Sequence, residues 1–446
     1  MNLKNGHLMR QLLPNIIVIS LLGISSITTN KIFNVASIII AIVVMLFSKK
    51  ENAYYLLIQI AAFESMIIIN NRNVFSILVL IFCFKLVFSK KAAKMNYIAF
   101  LSVLLLFLLE FINDNPLLSG ASPFSFINVS SFLLLFILWI SNIDSMEIDT
   151  TKFVLCFNIC VVIIIGVSFL SYGSILQFIR ASKEAEYVYR LGTETHSSLA
   201  GAMGIPLFAA ICVSVNIIFL IVNKSSSKQT RLFSIISICI SVFGAVLSFS
   251  RSFYLCMIAF FGLLILFSIG EKKQRKKGFF VICITIIAVI CFLTMDGFEW
   301  IISNVIKRSE EDSGVGIRGE IWISCLRYLS THTRALLFGL GTINYPNIGK
   351  NIDELFSLSA HNLVFDIIMS YGVVGLIAIC VLIRLAKLKL SRSYGNLTSK
   401  YCILPLLTFL TYGLTALRTF SGKTWIYFIM LMTFTYICGK NRSIKG

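Results

Sequence analysis

Ser359-Ala-His-Asn-Leu-Val-Phe-Asp-Ile-Ile-Met-Ser-Tyr-Gly-Val-Val-Gly375 is the stretch of sequence around which the rest of the chain can be organised. It begins where a long polar segment ends and an apolar run of membrane-spanning length starts. His361 and Asn362 are therefore predicted to lie at a boundary between membrane and water. Histidine titrates near neutral pH, so His361 is a candidate general base for a hydroxyl group. The structural alternative is an interfacial histidine that only caps the helix.

The composition of the whole chain predicts a membrane protein. Of its 446 residues, 57% are hydrophobic and only 13% are charged, and the mean hydropathy is +0.89. A soluble domain of this size could not bury so much apolar surface. We predict an all-α integral membrane protein with a single transmembrane domain over residues 1–446, built as a polytopic bundle of about 12–14 transmembrane helices.

Hydropathy gives the individual spans, and the charges between them predict the orientation. The first apolar run is interpreted as the first span and not as a cleaved signal peptide. With a cytoplasmic N-terminus, 25 of the 39 Lys and Arg residues fall on the cytoplasmic side, which predicts that both termini are cytoplasmic. The acidic loop 144–152 is an exception. The net charge of +19 thus follows from membrane topology, and nucleic-acid binding is not predicted. The predicted spans lie near 12–28, 32–48, 53–70, 74–88, 95–112, 126–142, 153–173, 198–222, 232–250, 253–269, 278–295, 363–386, 401–419 and 424–438.

Two outer loops are long enough to build a site: a smaller one at 174–198 and a large one at 296–362, which is predicted to carry short amphipathic helices. Residues 317–330 of the large loop have a helical pattern. At 100° per residue, Arg318 falls in the middle of the apolar face and Arg327 falls on the opposite, polar face. That apolar face is predicted to consist of Ile321, Trp322, Cys325, Leu326 and Leu329.

Arginines on the predicted outer side suggest an anion site. The planar guanidinium group of arginine matches phosphate oxygens bidentately. Arg251 lies in the shortest outer turn, where it either lines such a site or contacts lipid phosphates. The other candidates are spread over the two loops: Arg180, Arg190, Arg308, Arg318 and Arg327.

Three carboxylates lie inside predicted spans: Glu64, Glu110 and Asp366. Asp366 follows His361 by about one helical turn, so it is a candidate to support a protonated imidazole, or else a polar group that lines a cavity. Glu110 lies near the outer end of its span, where water contact explains it better than catalysis. The chain has no Cys/His spacing for a metal site and no nucleotide-binding glycine pattern, so no metal and no cofactor are predicted.

The order and spacing of several motifs resemble one family of membrane enzymes. His361-Asn362 is followed nine residues later by Gly372 and then by Gly375. This pattern resembles the signature of the O-antigen ligases and their polymerase relatives, as do Arg318-x-x-x-Trp322, Phe338-Gly-Leu-Gly341 and the stretch 248–252. The resemblance implies a metal-independent, GT-C-like glycosyltransferase that uses glycans linked to undecaprenyl pyrophosphate, with its active site at the periplasmic face of the bacterial inner membrane.

The resemblance also implies roles for individual residues. His361, Asn362 and Asp366 become the catalytic candidates. Arg190, Arg251, Arg308 and Arg318 become the main candidates to bind the pyrophosphate, with Arg180 and Arg327 as further ones. The implied partners are an undecaprenyl-pyrophosphate-linked oligosaccharide, membrane lipids and a chain-length-determinant protein.

Within this family, the sequence favours an O-antigen polymerase, because two outer loops carry the Arg-x10-Gly spacing described for polymerases. Arg190 is followed eleven places later by Gly201, and Arg308 by Gly319. A ligase that transfers the glycan to lipid A–core is the first alternative, because the histidine signature is the one associated with ligases. A flippase or exporter of lipid-linked sugars is the second alternative. It would need the arginines but not His361.

Overall fold

The computed structural model describes residues 3–28, 30–69, 72–88, 97–114, 123–184, 191, 201–223, 226–269, 299–301, 303–304, 306, 315–342, 360, 362–391, 401–416 and 422–443. In these parts the chain is almost entirely helical, which confirms the predicted all-α membrane class. The sixteen α-helices are α1 (Leu3–Thr28), α2 (Lys31–Phe47), α3 (Lys50–Ala61), α4 (Phe75–Val87), α5 (Tyr97–Asp114), α6 (Pro123–Asn142), α7 (Thr150–Leu170), α8 (Ile175–Glu184), α9 (Gly201–Val222), α10 (Lys228–Leu247), α11 (Arg251–Ile269), α12 (Val315–Thr331), α13 (Thr333–Phe338), α14 (Leu363–Ser391), α15 (Leu404–Ala416) and α16 (Gly422–Ser443).

Most of these helices are apolar, but they differ in whether they are long enough to cross a bilayer. Five of them, α7, α9, α10, α11 and α14, have the length and composition to cross a membrane. Seven shorter apolar helices, of 10–17 residues, lie in α1, α2, α4, α5, α6, α15 and α16. Together these are twelve apolar helices in the described part of the chain. The predicted span at 278–295 lies outside the described residues.

The predicted span at 53–70 differs from the structure. Helix α3 ends at Ala61, and a 3-10 turn at Glu64–Met66 and a short antiparallel hairpin follow it, with strands β1 (Ile68–Ile69) and β2 (Arg72–Asn73). Two side-chain amides satisfy carbonyl groups that the helix no longer pairs. The amide of Asn34 donates to the Met66 carbonyl at 2.6 Å, and that of Asn73 donates to the Glu64 carbonyl at 3.2 Å. Hydropathy averaging could not detect this local chemistry.

One large hydrophobic core runs through the bundle, from Leu12 in α1 to Cys438 in α16. A few polar side chains inside it join helices that are distant in sequence. Thr433 of α16 is bonded to the hydroxyl of Tyr54 at 2.6 Å and accepts from the indole of Trp139 at 2.7 Å. Such hydrogen bonds between helices fix their relative positions within a bilayer.

Contacts between helices mark two ends of the bundle. At one end Asp144 contacts Lys389 of α14 and Tyr436 of α16; we call this the Asp144 end. At the other, the amide of Asn362 donates to the carbonyl of Leu414 in α15; we call this the Asn362 end. Helix α14 therefore runs the whole way from the candidate site to the opposite end.

Candidate active site

Asn362 fixes the start of helix α14. Its side-chain oxygen accepts from the amides of Val364 at 3.0 Å and Phe365 at 3.3 Å, which makes it the N-cap of the helix. Its side-chain nitrogen donates to the carbonyl of Leu414 near the end of α15, at 3.1 Å. Both atoms of the amide thus engage the protein. Asn362 holds the backbone next to His361 in place, which is a positioning role.

Trp322 of α12 fixes the residue on the other side of His361. Its indole nitrogen donates to the carbonyl of Ala360 at 2.9 Å, and Ala360 is fully buried. The indole ring also stacks on Phe365, with ring centroids 5.7 Å apart. His361 itself lies outside the described residues, but the structure holds Ala360 before it and Asn362 after it. The tryptophan of the Arg318-x-x-x-Trp322 motif therefore holds the backbone next to His361.

Helix α14 is broken at Gly372. Its backbone there is left-handed and extended, with φ 68° and ψ −170°, so carbonyls in the preceding turn lose their helical partners. The amides of Leu340 and Gly341 replace them by donating to the carbonyls of Met369, at 2.8 Å, and Ser370, at 2.9 Å. We call residues 338–342 the glycine segment. It fastens the break in α14 through two backbone hydrogen bonds.

Glycine is required on both sides of this contact. A Cβ added to Gly339 would lie 2.2 Å from the Ser370 carbonyl oxygen, and one added to Gly372 would lie 2.3 Å from the Leu337 carbonyl carbon. Both glycines also have a positive φ, which residues with a Cβ adopt at a cost. The Phe338-Gly-Leu-Gly341 motif and the glycine after His361-Asn362 are therefore two halves of one backbone-to-backbone contact.

Helix α5 holds the other side of the glycine segment. The hydroxyl of Thr342 donates to the carboxylate of Glu110, and the side-chain amide of Asn113 donates to the Phe338 carbonyl at 2.9 Å. Glu110 is completely buried. The prediction that it is simply wet was therefore wrong, because the helix end that hydropathy places at the membrane surface is covered by the glycine segment. Its position inside an apolar run was the one signal in the sequence that marked it.

Asp366 lies one turn after Asn362 in α14, and its amide donates to the Asn362 carbonyl at 2.9 Å. Its side chain is buried, with 4% of the residue exposed. A carboxylate is costly to bury without a partner of opposite charge or hydrogen-bond donors. Asp366 lies about one helical turn from His361 in sequence, as predicted. That its carboxylate supports a protonated His361 imidazole stays a prediction.

Arg251 is the first residue of α11 and is half-buried. The turn before it is tight because Phe249, fully buried, has φ 47°, and the ring of Phe249 packs edge-on against Trp300 at 5.7 Å. The amide of Leu191 donates to the Leu247 carbonyl at 3.1 Å. The residue that follows Arg190 in sequence is thus bound to the turn that carries Arg251.

The remaining arginine candidates are placed differently. Arg180 lies on the exposed face of α8 and forms an ion pair with Glu184 at 2.9 Å. The hydrogen bond with Glu184 raises the pKa of the Arg180 guanidinium, and nothing in the described residues brings it towards α14. Arg327 is exposed on α12, on the polar face, as predicted. Arg318 lies on α12 one turn before Trp322, and three predicted site residues lie outside the described residues: Arg190, Arg308 and His361.

Comparison with known proteins gives a match to the region that contains this candidate site. Residues 235–380 match the family described as O-antigen ligase, Wzy_C. This part of the chain is similar to that family. It covers 146 of the 446 residues and includes the α10–α11 turn, Trp322, the glycine segment and the break at Gly372. The predicted resemblance to the O-antigen polymerase and ligase superfamily is thereby confirmed. A search of curated proteins finds no match to the chain.

Proposed function

We propose that the protein is an O-antigen polymerase that moves a growing glycan from undecaprenyl pyrophosphate onto a lipid-linked repeat unit. The observation that carries this proposal is the placement of the residues around His361. Ala360 is held by Trp322 and Asn362 caps α14, so the histidine between them is attached to a fixed backbone inside the matched domain. A general base must be held within hydrogen-bond reach of its proton for catalysis to be efficient.

In the proposed reaction, His361 removes the proton from a hydroxyl group of the acceptor sugar. The hydroxyl oxygen forms a new bond to the anomeric carbon of the donor, with inversion. The bond from that carbon to the pyrophosphate oxygen breaks, and undecaprenyl pyrophosphate leaves with the electron pair. Asp366 supports the protonated imidazole. Arg190, Arg251, Arg308 and Arg318 bind the pyrophosphate and neutralise the negative charge that develops on it.

The orientation and the side of the reaction belong to the same proposal. The Asn362 end would face the periplasm of a bacterial inner membrane, with both termini in the cytoplasm. The bias of Lys and Arg towards the Asp144 end supports this orientation. A chain-length-determinant protein would be a further partner.

The choice of polymerase over ligase rests on the two Arg-x10-Gly spacings, at Arg190 and Gly201 and at Arg308 and Gly319. A Cβ added to Gly319 would meet no atom within 4 Å. Packing among the described residues therefore does not require glycine at this position.

An O-antigen ligase, which transfers the glycan to lipid A–core, is the second candidate. The specific observation in its favour is the description of the matched family, which names ligases. The chemistry at the donor would be the same, and only the acceptor would differ.

The test is a reaction of the purified protein with one lipid-linked repeat unit, with and without lipid A–core. We expect a ladder of longer lipid-linked products without lipid A–core. Transfer onto lipid A–core without any ladder would replace the polymerase with the ligase. His361→Ala should abolish either reaction while binding of the lipid-linked sugar remains. A His361→Ala protein that still moves lipid-linked sugar across vesicles, with no glycosidic bond formed by the wild type, would identify an exporter.

A further inference from the structure

Helices α5 and α14 contact each other through the glycine segment and directly. Leu106 of α5 lies within 3.5 Å of the position that a Cβ on Gly375 would take. One turn further along α5, the carboxylate of Glu110 accepts from Thr342, and Asn113 donates to Phe338. Residues three apart on a helix share a face. Glu110 and Asn113 therefore hold both ends of the glycine segment from one side, while α14 binds its middle from the other.

We propose that Glu110 is a positioning residue for His361, acting through Thr342 and the bend at Gly372. This inference rests on the proposed function, because it assigns Glu110 to the site of glycan transfer. Glu110 does not touch the reacting atoms. It keeps the glycine segment in place, and the glycine segment sets the direction in which the first half of α14 leaves the bundle.

The length of that first half makes the bend important. About ten residues separate Asn362 from Gly372, which corresponds to roughly 15 Å at 1.5 Å per residue. A tilt of about 10° at Gly372 would therefore move the start of α14 by about 2–3 Å. A displacement of about 1 Å at reacting groups can lower a rate about a hundredfold. A contact that holds the bend can thus control the reaction from a distance.

The hydrogen bond between Glu110 and Thr342 is suited to this role. It connects residues 232 positions apart, in helix α5 and just after Gly341. Glu110 is fully buried and Thr342 is half-buried, so removal of the Thr342 hydroxyl would take one hydrogen-bond donor away from a buried carboxylate, which is costly. Thr342 is also the last described residue before the stretch that leads to Ala360 and His361. The contact therefore holds both chain segments that approach the histidine, α14 and 338–342.

The first experiment measures glycan transfer by Glu110→Leu, Thr342→Val, the double variant and Glu110→Gln. We expect both single variants to lower kcat about ten- to a hundredfold, with KM for the lipid-linked donor changed less than about threefold. The double variant should be no less active than the less active single variant, because both substitutions remove the same bond between Glu110 and Thr342. Glu110→Gln keeps an acceptor oxygen and should retain at least about a third of the activity. Thr408→Val removes a buried hydroxyl that bonds its own helix, to the Leu404 carbonyl, and should change nothing.

A second readout does not depend on enzyme activity. Diethyl pyrocarbonate modifies histidines, and mass spectrometry can follow its rate at His361 and at His332, which is exposed and stacks on Tyr328. In Glu110→Leu and Thr342→Val we expect at least about a threefold increase at His361 and none at His332, because only the first depends on the bend.

The outcomes separate the two proposals. A wild type that transfers no glycan to either acceptor would reject the proposed function, while the modification rates would still test whether Glu110 positions His361. Equal modification rates at His361 in the wild type and in both single variants would overturn the positioning role. Three results of the transfer assay would overturn it as well. The losses of activity in the single variants could add up in the double variant, the change could appear in KM alone, or Glu110→Gln could lose as much activity as Glu110→Leu.

Discussion

At the scale of single residues, the side chain of Asn362 combines two functions that are easily confused. It caps α14 and connects it to α15. We predict that Asn362→Ala destabilises the protein by about 1 kcal/mol, as the loss of an N-cap does, and also lowers glycan transfer at least about tenfold, because His361 is its neighbour. Thermal unfolding in detergent and the in vitro transfer reaction measure the two effects.

The matched control for Asn362 is Asn30→Ala. Asn30 caps α2 by accepting from the amide of Ile32 at 2.9 Å, so the substitution removes the same kind of bond elsewhere in the chain. It should lower stability by a similar amount and leave transfer unchanged. Equal losses of transfer in the two variants would show that Asn362 matters only for folding.

Gly372 gives the sharpest steric prediction. Gly372→Ala would place a Cβ 2.3 Å from the Leu337 carbonyl carbon at a positive φ, so the glycine segment must separate from α14. We expect a protein that unfolds at a clearly lower temperature and has lost transfer. Gly262→Ala is the control, because a Cβ there meets nothing within 4 Å in α11. It should be neutral or stabilising by up to about 1 kcal/mol.

Sequence reasoning found one half of the residue-scale site and missed the other. His361, Asn362, Gly372 and Gly375 are close in sequence, so their spacing could be read directly. The contact of Glu110 with Thr342 joins residues 232 positions apart, and no local period reports such a distance. The position of Glu110 near the end of a predicted span suggested that its carboxylate is exposed to water. In the structure the glycine segment covers and buries it, and hydropathy cannot predict such a contact.

At the scale of elements, α12 supports the site from the side of Trp322. Trp322→Phe keeps a ring against Phe365 but loses the bond to Ala360. We predict that it lowers the rate of glycan transfer and changes the unfolding temperature little. Trp322→Ala loses both contacts and should also destabilise the protein by about 3 kcal/mol or more. Transfer rates and unfolding temperatures, measured side by side, test this order. A Trp322→Phe protein with full activity would contradict it.

Helical periodicity predicted α12 well, except at its edge. Ile321, Cys325 and Leu329 are buried, whereas Leu326 is 55% exposed. At 100° per residue Leu326 lies about 140° from Ile321, at the margin of the apolar arc. The period gives the centre of a buried face, but the packing partner decides its width. Here the partners are Ala360, Met369 and Phe365, which come from residues more than thirty positions later in the chain.

At the scale of the whole molecule, the Asp144 end accounts for the one loop that departs from the charge pattern. Asp144 pairs with Lys389 and accepts from Tyr436, so the acidic loop meets a basic residue of another helix at the same end. We predict that Asp144→Asn lowers stability by about 1 kcal/mol or less, since the pair is partly exposed. Glu147→Gln in the same loop, with its side chain exposed, should have no effect. A loss that is equal in both variants would contradict a specific role for the pair.

The proposed orientation gives the last prediction, and it concerns the whole bundle. Ser330 of α12 lies in the predicted outer loop, and Glu147 lies beside Asp144 at the opposite end; both are exposed. In spheroplasts, a membrane-impermeant maleimide should label Ser330→Cys at once and label Glu147→Cys only after lysis. Among the described native cysteines, Cys239 and Cys380 alone are exposed, and both lie inside apolar helices, so the parent protein should react little and serves as the background. Labelling of Glu147→Cys in intact spheroplasts, without labelling of Ser330→Cys, would reverse the orientation. The Asn362 end would then face the cytoplasm, and transfer at the periplasmic face would have to be abandoned even if the isolated protein makes the product.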